Sequence, residues 1–163
     1  MEIERKWLVK PEKIPYNLKE LEREKIQQAY ISFSPVIRVR SINDDNTCLL
    51  TIKTAPPAGS GQFSREEHEF RISAEDYHKL LVQCKGRLIE KTRYIHPICD
   101  DLKEEIDIFS GELLGLAYME IEFPDEHSAK NYTPPDWVER DVSNEAGFSN
   151  ADLAQSTDLP FRT

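Results

Sequence analysis

Cysteine is scarce in this sequence, and long apolar runs are absent from it. Cys48, Cys84 and Cys99 are odd in number, far apart and without a CxxC pair, so we expect reduced structural thiols rather than disulfides or a zinc site. No apolar run is long enough to span a bilayer, and Glu2 and Glu4 stand where a signal peptide needs basic and then apolar residues. These features predict a cytoplasmic protein that has no membrane partner.

Positive charge is also in deficit, with 21 Lys and Arg residues against 30 Asp and Glu residues and a formal net charge of −9. A protein that binds a nucleic-acid backbone presents a broad basic face, so this balance argues against nucleic acid as the main partner. This charge balance is still compatible with a small anion bound in an enclosed basic pocket. The glycine-rich stretch 58–61 lacks the Gly-Lys-Ser/Thr that completes a P-loop, so we expect a hairpin loop there.

The chain of 163 residues is long enough to bury a core and too short for two ordinary domains, so we expect a single domain over 1–163. Segments rich in β-branched and aromatic residues, separated by turn residues, predict about eight strands. Consecutive strands of this kind are typical of an antiparallel α+β fold or a barrel. The predicted strands are 1–10, 27–32, 36–42, 47–54, 65–73, 87–96, 103–110 and 116–123, with a last one over 137–143.

Three or four short helices are predicted between the strands. Ser73 is followed by Asp76 at capping-box spacing and then by apolar residues at helical spacing, which predicts a helix that ends at Gly86. The other candidates are 17–25, 125–131 and 151–156, the last capped by Asn150.

Charged residues recur at alternate positions within most of the predicted strands. Because successive side chains of a strand point to opposite faces, residues two apart share one face of the sheet. That face carries pairs of like charge, while apolar residues occupy the other face. The residues on the charged face are Glu2, Glu4, Lys6, Arg38, Arg40, Lys53, Glu67, Glu69, Lys91, Arg93, Glu105, Asp107, Glu120 and Glu122.

This alternation has two interpretations. An antiparallel sheet with one face on a core and the other in water commonly produces such a pattern, and it would make the protein an acidic-surfaced scaffold. The alternative is a closed barrel with a charged lumen and an apolar outer wall. Like charges two residues apart repel, and a wet surface does not select them, so we favour the barrel.

A charged lumen would be a binding site, because buried charges need partners or ligands. Six cations suit a ligand with several phosphates in a row. The carboxylates cannot touch such a ligand directly and need a divalent metal between, and all-oxygen ligands favour Mg²⁺ or Mn²⁺ over Zn²⁺.

The sequence also resembles a known family. EIERK is similar to the ExExK signature of the CYTH superfamily, the triphosphate tunnel metalloenzymes, which include class IV adenylyl cyclases, thiamine triphosphatases and inorganic triphosphatases. The segments that follow in the family's order are VIRVR, LTIK, EEHEF, IEKTRY, EEIDIF, MEIEF, WVERDVS and FSNADLA. The resemblance covers nearly the whole chain, and it is greatest to the small bacterial members.

The resemblance implies an eight-stranded antiparallel β-barrel, a tunnel open at both ends, with a charged lumen and flanking short α-helices. It implies that the phosphates are held by Lys6, Arg38, Arg40, Lys53, Lys91 and Arg93. It implies that one or two Mg²⁺ or Mn²⁺ ions are held by Glu2, Glu4, Asp107, Glu120 and Glu122. Glu67 and Glu69 are expected nearby to position water or a second metal, which makes the catalytic set Glu2, Glu4, Lys6, Glu67 and Glu69.

The expected activity is metal-dependent hydrolysis of a linear triphosphate, with inorganic triphosphate favoured because a lumen crowded with charge leaves few groups for a base or a thiamine ring. Thiamine or nucleoside triphosphate hydrolysis, cyclisation of ATP, and non-catalytic polyphosphate or nucleotide binding stay open. So does a homodimer formed through the apolar outer wall. One departure from the family pattern is Gly147, which precedes Phe148 where relatives have a basic residue.

Overall fold

The computed structural model describes residues 1–99 and 101–157 of the chain, and these form one nine-stranded sheet with three short helices. The helices are α1 (Ala74–Leu81), α2 (Glu126–Asn131) and α3 (Asn150–Gln155). The strands are β1 (Glu2–Val9), β2 (Glu22–Phe33), β3 (Val36–Ile42), β4 (Thr47–Thr54), β5 (Ser64–Ile72), β6 (Lys85–Cys99), β7 (Leu102–Phe109), β8 (Ala117–Glu122) and β9 (Val138–Asp141).

The strand order closes the sheet into a barrel. The strands follow one another as β5-β4-β3-β2-β6-β7-β8-β1-β9, every neighbouring pair is antiparallel, and β5 also pairs with β1. The predicted eight-stranded antiparallel barrel is therefore confirmed. The last predicted strand is present as β9, which lies outside the closed ring on the edge of β1.

The closure between β1 and β5 is short. Only Glu2 with Arg65 and Ile3 with Ser64 are in register there, and the Glu4 amide adds a hydrogen bond of 3.3 Å to the Phe63 carbonyl. Further along β1 the same edge pairs with β9 instead, over Trp7, Leu8 and Val9. One edge of β1 thus pairs with two strands. We call the short pairing of β1 with β5, at Glu2–Arg65 and Ile3–Ser64, the seam.

The outer wall of the barrel is apolar, as the alternation predicted. Trp7, Ile106, Met119 and Ile121 are almost fully buried outside the lumen, where they pack with Ala129 of α2 and with partly buried residues of the connecting segments. The hydrophobic effect therefore acts between this wall and its covering rather than within the lumen. None of the described helices is long and apolar enough to cross a membrane.

Three of the four predicted helices are present, and a local capping signal located the start of one of them. Ser73 caps α1 as predicted, with its hydroxyl accepting a 3.0 Å hydrogen bond from the Asp76 amide, and α2 lies within the predicted range. For α3 the cap is Ser149, which accepts from the Asp152 amide, so the expectation that Asn150 caps this helix was wrong by one residue.

Two other local predictions were wrong. The proposed helix over 17–25 is a 3₁₀ turn at Leu18–Glu20 followed by β2, because residues from Glu22 onward pair in register with β6. Long-range pairing here overrides a weak local preference. Gly86 does not end α1, which stops at Leu81; it lies inside β6 with φ +73, a conformation that suits glycine.

One end of the lumen is filled. Leu8, Ile89, Phe109 and Tyr118 continue the inward faces of their strands and pack in a buried cluster that also includes Leu153 of α3. At this end apolar side chains from the barrel and from the C-terminal segment meet, and the tunnel open at both ends stays a prediction. The charged part of the lumen lies next to this cluster, further along the barrel toward the start of β1.

The buried cluster at the filled end of the lumen predicts that substitutions of two leucines affect stability very differently. Leu153 is 0% exposed whereas Leu114 is 69% exposed. We expect Leu153→Ala to lower the free energy of unfolding by about 2–5 kcal/mol, because it leaves a cavity, and Leu114→Ala to change it by less than about 0.5 kcal/mol. Urea unfolding of both variants checks this, and equal midpoints would contradict the packing described.

Candidate active site

The lumen contains a cavity of about 1230 Å³. The interpretation in which the charged face lies in open water therefore does not hold. Of the predicted charged set, only Lys91 and Asp107 do not line the cavity. The members that do line it are Glu2, Glu4, Lys6, Arg38, Arg40, Lys53, Glu67, Glu69, Arg93, Glu105, Glu120 and Glu122.

An acidic side forms where β1 pairs with β8. The register sets Glu4 opposite Glu122, and Glu2 follows Glu4 toward the start of β1. Burial, followed by the nearby charges of Glu120 and Glu2, raises the pKa of Glu4 to about 8. Burial and Glu2 also raise the pKa of Glu122. Negative charge on this side is therefore incompletely compensated by the protein itself.

A basic side faces the cavity from β3. The Arg38 guanidinium donates to the Thr51 hydroxyl at 3.2 Å, and the Arg40 Nε donates to the Gln28 side-chain oxygen at 2.8 Å. Within the described residues, neither arginine has a carboxylate partner. Burial, followed by repulsion from Arg38 and Arg93, lowers the pKa of Arg40 to about 9. This side carries an excess of positive charge.

Two lysines of the cavity are already paired with carboxylates. Lys6 lies 3.3 Å from Glu120, across the β1–β8 register. Burial alone would lower the pKa of Lys6, but Glu120 and Glu4 outweigh it and raise the value. Lys53 contacts Glu2 at 3.1 Å and Glu67 at 3.7 Å, so it bridges β4 to both β1 and β5.

Arg93 is the centre of the ion-pair network on the β6–β7–β8 wall. Its guanidinium makes two hydrogen bonds to Asp107, at 2.8 and 2.9 Å, one to Glu120 at 3.1 Å, and an ion pair with Glu105. The paired geometry with Asp107 is the kind that orients a guanidinium firmly. Arg93 can thus present a fixed edge to the cavity.

Lys91 and Asp107 lie behind Arg93 in the wall. Their side chains are fully buried, and the lysine ammonium donates to the Asp107 carboxylate at 2.6 Å. Burial would raise the pKa of Asp107, but Arg93 and Lys91 together lower it, while burial lowers the pKa of Lys91 to about 8. The structure thus separates these two residues from the cavity residues with which the sequence grouped them.

The acidic side has the donor atoms that a hard divalent cation requires. Within residues 1–99 and 101–157, no three or more His, Cys, Asp or Glu side chains are arranged so that they could hold a metal ion as they stand. The chemistry nevertheless fits: Glu2, Glu4 and Glu122 offer only carboxylate oxygens, and no described side chain donates a hydrogen bond to Glu4. A divalent cation would remove the unfavourable charge there. Glu120 and Asp107, by contrast, are engaged with lysine and arginine.

Several cavity residues were missed by the sequence reasoning. Arg65 lines the cavity, and it could have been found because it precedes Glu67 by two positions on the same strand face. Ser143, Asn144 and Asn150 line it as well. Ser143 and Asn144 follow β9 and Asn150 begins α3, so these residues lie outside the alternation of charged residues, which did not indicate them. Tyr30 is 2% exposed and lines the cavity as well.

Gly147 gives the cavity no side chain. It occupies a left-handed turn with φ +94, and its amide donates to the Asp152 carboxylate at 3.0 Å. The turn leads into α3, so this position serves the local chain path.

Comparison with known proteins identifies relatives that agree with one another. The sequence pattern of the CYTH domain matches residues 1–157. A protein of Nitrosomonas europaea named inorganic triphosphatase is 31% identical over 156 residues, which are 95% of this chain and 97% of that protein. A protein of the same name from Acetivibrio thermocellus is 33% identical over 139 residues, or 83% of either chain.

Solved structures agree with this similarity. A crystal structure of an inorganic triphosphatase matches with a TM-score of 0.67 at 30% identity, over 96% of this chain and 95% of that one. A protein of Pyrococcus horikoshii OT3 matches with a TM-score of 0.60 at 20% identity, over 85% of this chain and 94% of that one. The second likeness concerns the fold alone.

The buried pair behind Arg93 predicts a large cost for removing one partner. In Asp107→Asn, Lys91 keeps its burial and loses its countercharge, so we expect the free energy of unfolding to fall by about 3–5 kcal/mol. Glu139→Gln, which breaks the exposed pair with Lys10 at 3.2 Å, is the control, and we expect a change below about 1 kcal/mol. Denaturant unfolding measures both, and an Asp107→Asn midpoint equal to that of the wild type would contradict the description.

Proposed function

Because this chain belongs to the CYTH family, we propose that it is a metal-dependent triphosphatase that hydrolyses inorganic triphosphate to pyrophosphate and phosphate. The observation that carries the proposal is the uncompensated charge of opposite sign on two sides of one cavity. Arg38 and Arg40 have no carboxylate partner within the described chain, and Glu4 has no hydrogen-bond donor there. A polyanion and a divalent cation together supply what both sides lack.

The basic residues hold and orient the substrate. Arg38 and Arg40 contact the phosphates most directly, because their positive charge is not already neutralised. Lys6, Lys53 and Arg93 add positive charge from the other walls while keeping their carboxylate partners. Lys91 and Asp107 do not line the cavity, and they contribute by fixing the position of the Arg93 guanidinium. Positioning and charge cancellation are the main sources of rate acceleration in phosphoryl transfer.

The acidic residues hold the metal and the water. Glu2, Glu4 and Glu122, with Glu120 beside them, would bind one or two Mg²⁺ or Mn²⁺ ions. When bound, such a cation neutralises phosphoryl oxygens and lowers the pKa of a water molecule. Glu67 and Glu69 face the cavity from β5 and orient the attacking water. The water oxygen bonds to a terminal phosphorus as the phosphoanhydride bond breaks, the electron pair of that bond leaves with pyrophosphate, and the proton lost by the water is taken up by the phosphate products, without a covalent enzyme intermediate.

The two charged sides predict separable kinetic defects. We expect Arg40→Gln to lower kcat/KM for tripolyphosphate at least about tenfold, or ~1.4 kcal/mol of transition-state stabilisation, chiefly through KM. We expect Glu4→Gln to raise the Mn²⁺ concentration needed for half-maximal rate by a similar factor. Phosphate release across substrate and metal concentrations measures both.

Arg23→Gln is the control, because Arg23 is exposed on β2 and does not line the cavity. We expect it to leave both constants unchanged. If wild-type protein binds tripolyphosphate tightly without turnover under either metal, it is a non-catalytic binding module and the enzyme proposal fails. Equal effects of Arg40→Gln and Glu4→Gln on both constants would contradict the division into two sides.

Substrate choice is the other consequence. We expect inorganic triphosphate to give a higher kcat/KM than ATP, thiamine triphosphate or pyrophosphate, because 15 of the 32 residues that line the cavity are charged. Product analysis with each substrate, under Mg²⁺ and under Mn²⁺, checks this. Faster turnover of ATP or thiamine triphosphate would overturn the assignment and would make the apolar residues Phe33, Pro35 and Val36, which also line the cavity, the contact for an organic group.

A further inference from the structure

Helix α2 lies on the outside of the barrel at the seam between β1 and β5. The seam holds only two register pairs, so it is the weakest closure in the ring. Glu2 and Glu4, which carry the proposed metal site, stand on the inner face of β1 at this point. Whatever fixes the outer face of the seam therefore also fixes the position of these two carboxylates.

Arg5 ties β1 to the C-terminal end of α2. Its side chain points outward, between the inward-facing Glu4 and Lys6, and its Nη1 donates to the Ala129 carbonyl at 2.8 Å and to the Tyr132 carbonyl at 2.9 Å. The Nε and Nη2 atoms donate to the Asp141 carboxylate at 2.9 and 2.6 Å. One guanidinium thus connects β1 with α2 and β9 at once.

Aromatic rings complete the Arg5 contact. The guanidinium carbon lies 4.7 Å from the centre of the Trp7 ring and 5.4 Å from the centre of the Phe63 ring. Phe63 directly precedes β5, so the cation is held between residues from both sides of the seam. Cation–π contacts of this kind strengthen when they are shielded from water, and the Arg5 side chain is only 12% exposed.

Glu126 ties the N-terminal end of α2 to the other side of the seam. Its Oε1 accepts hydrogen bonds from the Phe63 amide at 2.8 Å and from the Ser64 hydroxyl at 2.7 Å. Gly61 packs directly against this carboxylate, since a Cβ at position 61 would overlap its atoms. Helix α2 is therefore anchored to β1 at one end and to the start of β5 at the other.

We propose that α2 is a strap across the seam, and that Arg5 and Glu126 are positioning residues that set where Glu2 and Glu4 stand in the metal site. The consequence for metal binding rests on the proposed function. Neither residue lines the cavity, so each acts through the backbone of β1 and β5. Outer partners that orient metal ligands typically contribute 10–100-fold in affinity.

The decisive comparison is Glu126→Ala with Glu126→Gln. The alanine removes both hydrogen bonds to β5, whereas the glutamine oxygen can still accept them. We expect Glu126→Ala to weaken Mn²⁺ binding about tenfold, measured by calorimetry, and to leave kcat at saturating Mn²⁺ within about twofold. We expect Glu126→Gln to bind Mn²⁺ with near wild-type affinity.

A second readout needs no metal. The Glu4 amide donates across the seam to the Phe63 carbonyl, so its hydrogen exchange reports seam opening directly. We expect faster exchange of this amide in Glu126→Ala and in Gly61→Ala, which displaces the carboxylate while keeping Glu126, with unchanged exchange in the β3–β4 pairing. Glu75→Gln breaks an exposed ion pair with Lys79 within α1, which packs on β3 and β4 away from the seam, and is the control for both readouts.

Three outcomes separate the possibilities. Wild-type exchange and wild-type Mn²⁺ affinity in both Glu126→Ala and Gly61→Ala would overturn the strap. A lowered melting temperature with the Glu4 amide and the Mn²⁺ affinity unchanged would also overturn it, because a purely structural contact behaves in that way. If the wild-type protein neither binds Mn²⁺ nor hydrolyses tripolyphosphate, the proposed function fails, and the exchange comparison still decides whether α2 closes the seam.

Discussion

Charge enclosed in the barrel lumen must be compensated within the lumen, and most of the structure follows from that constraint. An ion removed from water costs several kcal/mol unless a partner faces it. The wall of β6, β7 and β8 meets the requirement internally, with Arg93 shared among Asp107, Glu120 and Glu105. Compensation on this wall is complete enough that Lys91 and Asp107 need no contact with the cavity at all.

Charge is left uncompensated at two places in the lumen. The cavity therefore has a positive side and a negative side. Arg38 and Arg40 accumulate positive charge on β3, whereas Glu4 and its acidic neighbours accumulate negative charge on β1 and β8. The protein tolerates both because stability comes from the apolar outer wall, where Trp7, Ile106 and Met119 are buried. Function and stability therefore occupy opposite faces of the same strands.

Strand β1 shows how tightly the two faces are joined. Its inner face contributes Glu2, Glu4 and Lys6 to the cavity, and its outer face contributes Arg5 and Trp7 to the covering of the barrel. Its free edge is divided between β5 and β9. A short motif thus carries the proposed metal ligands, the proposed phosphate contact and the anchor of the seam, because the two-residue period of a strand gives each set its own face.

Features of this structure that follow a sequence period could be predicted, whereas features that depend on partners distant in sequence could not. Segments rich in β-branched residues predicted the strands, the alternation of charge from Glu2 to Glu122 favoured a barrel with an inward charged face, and the family resemblance implied eight strands. The alternation was insufficient for Lys91, because depth along the lumen depends on register, which no single strand reveals. The 3₁₀ turn at Leu18–Glu20 and the cavity segment containing Asn144 were missed for the same reason. Arg5 had no role in the alternation, and only the positions of Ala129, Tyr132 and Asp141 explain it.

The separation of the two uncompensated sides has a thermodynamic consequence for ligand binding. A polyanion that neutralises Arg38 and Arg40 brings further negative charge toward Glu4, which opposes its own binding unless a cation is present. A cation held at the proposed metal site would remove that opposition, and hard divalent cations take oxygen ligands of the kind that a polyanion offers. Each ligand therefore raises the affinity for the other, and linkage requires the two enhancements to be equal. Under the proposed function, the cavity would consequently select the metal–polyphosphate complex over either component alone.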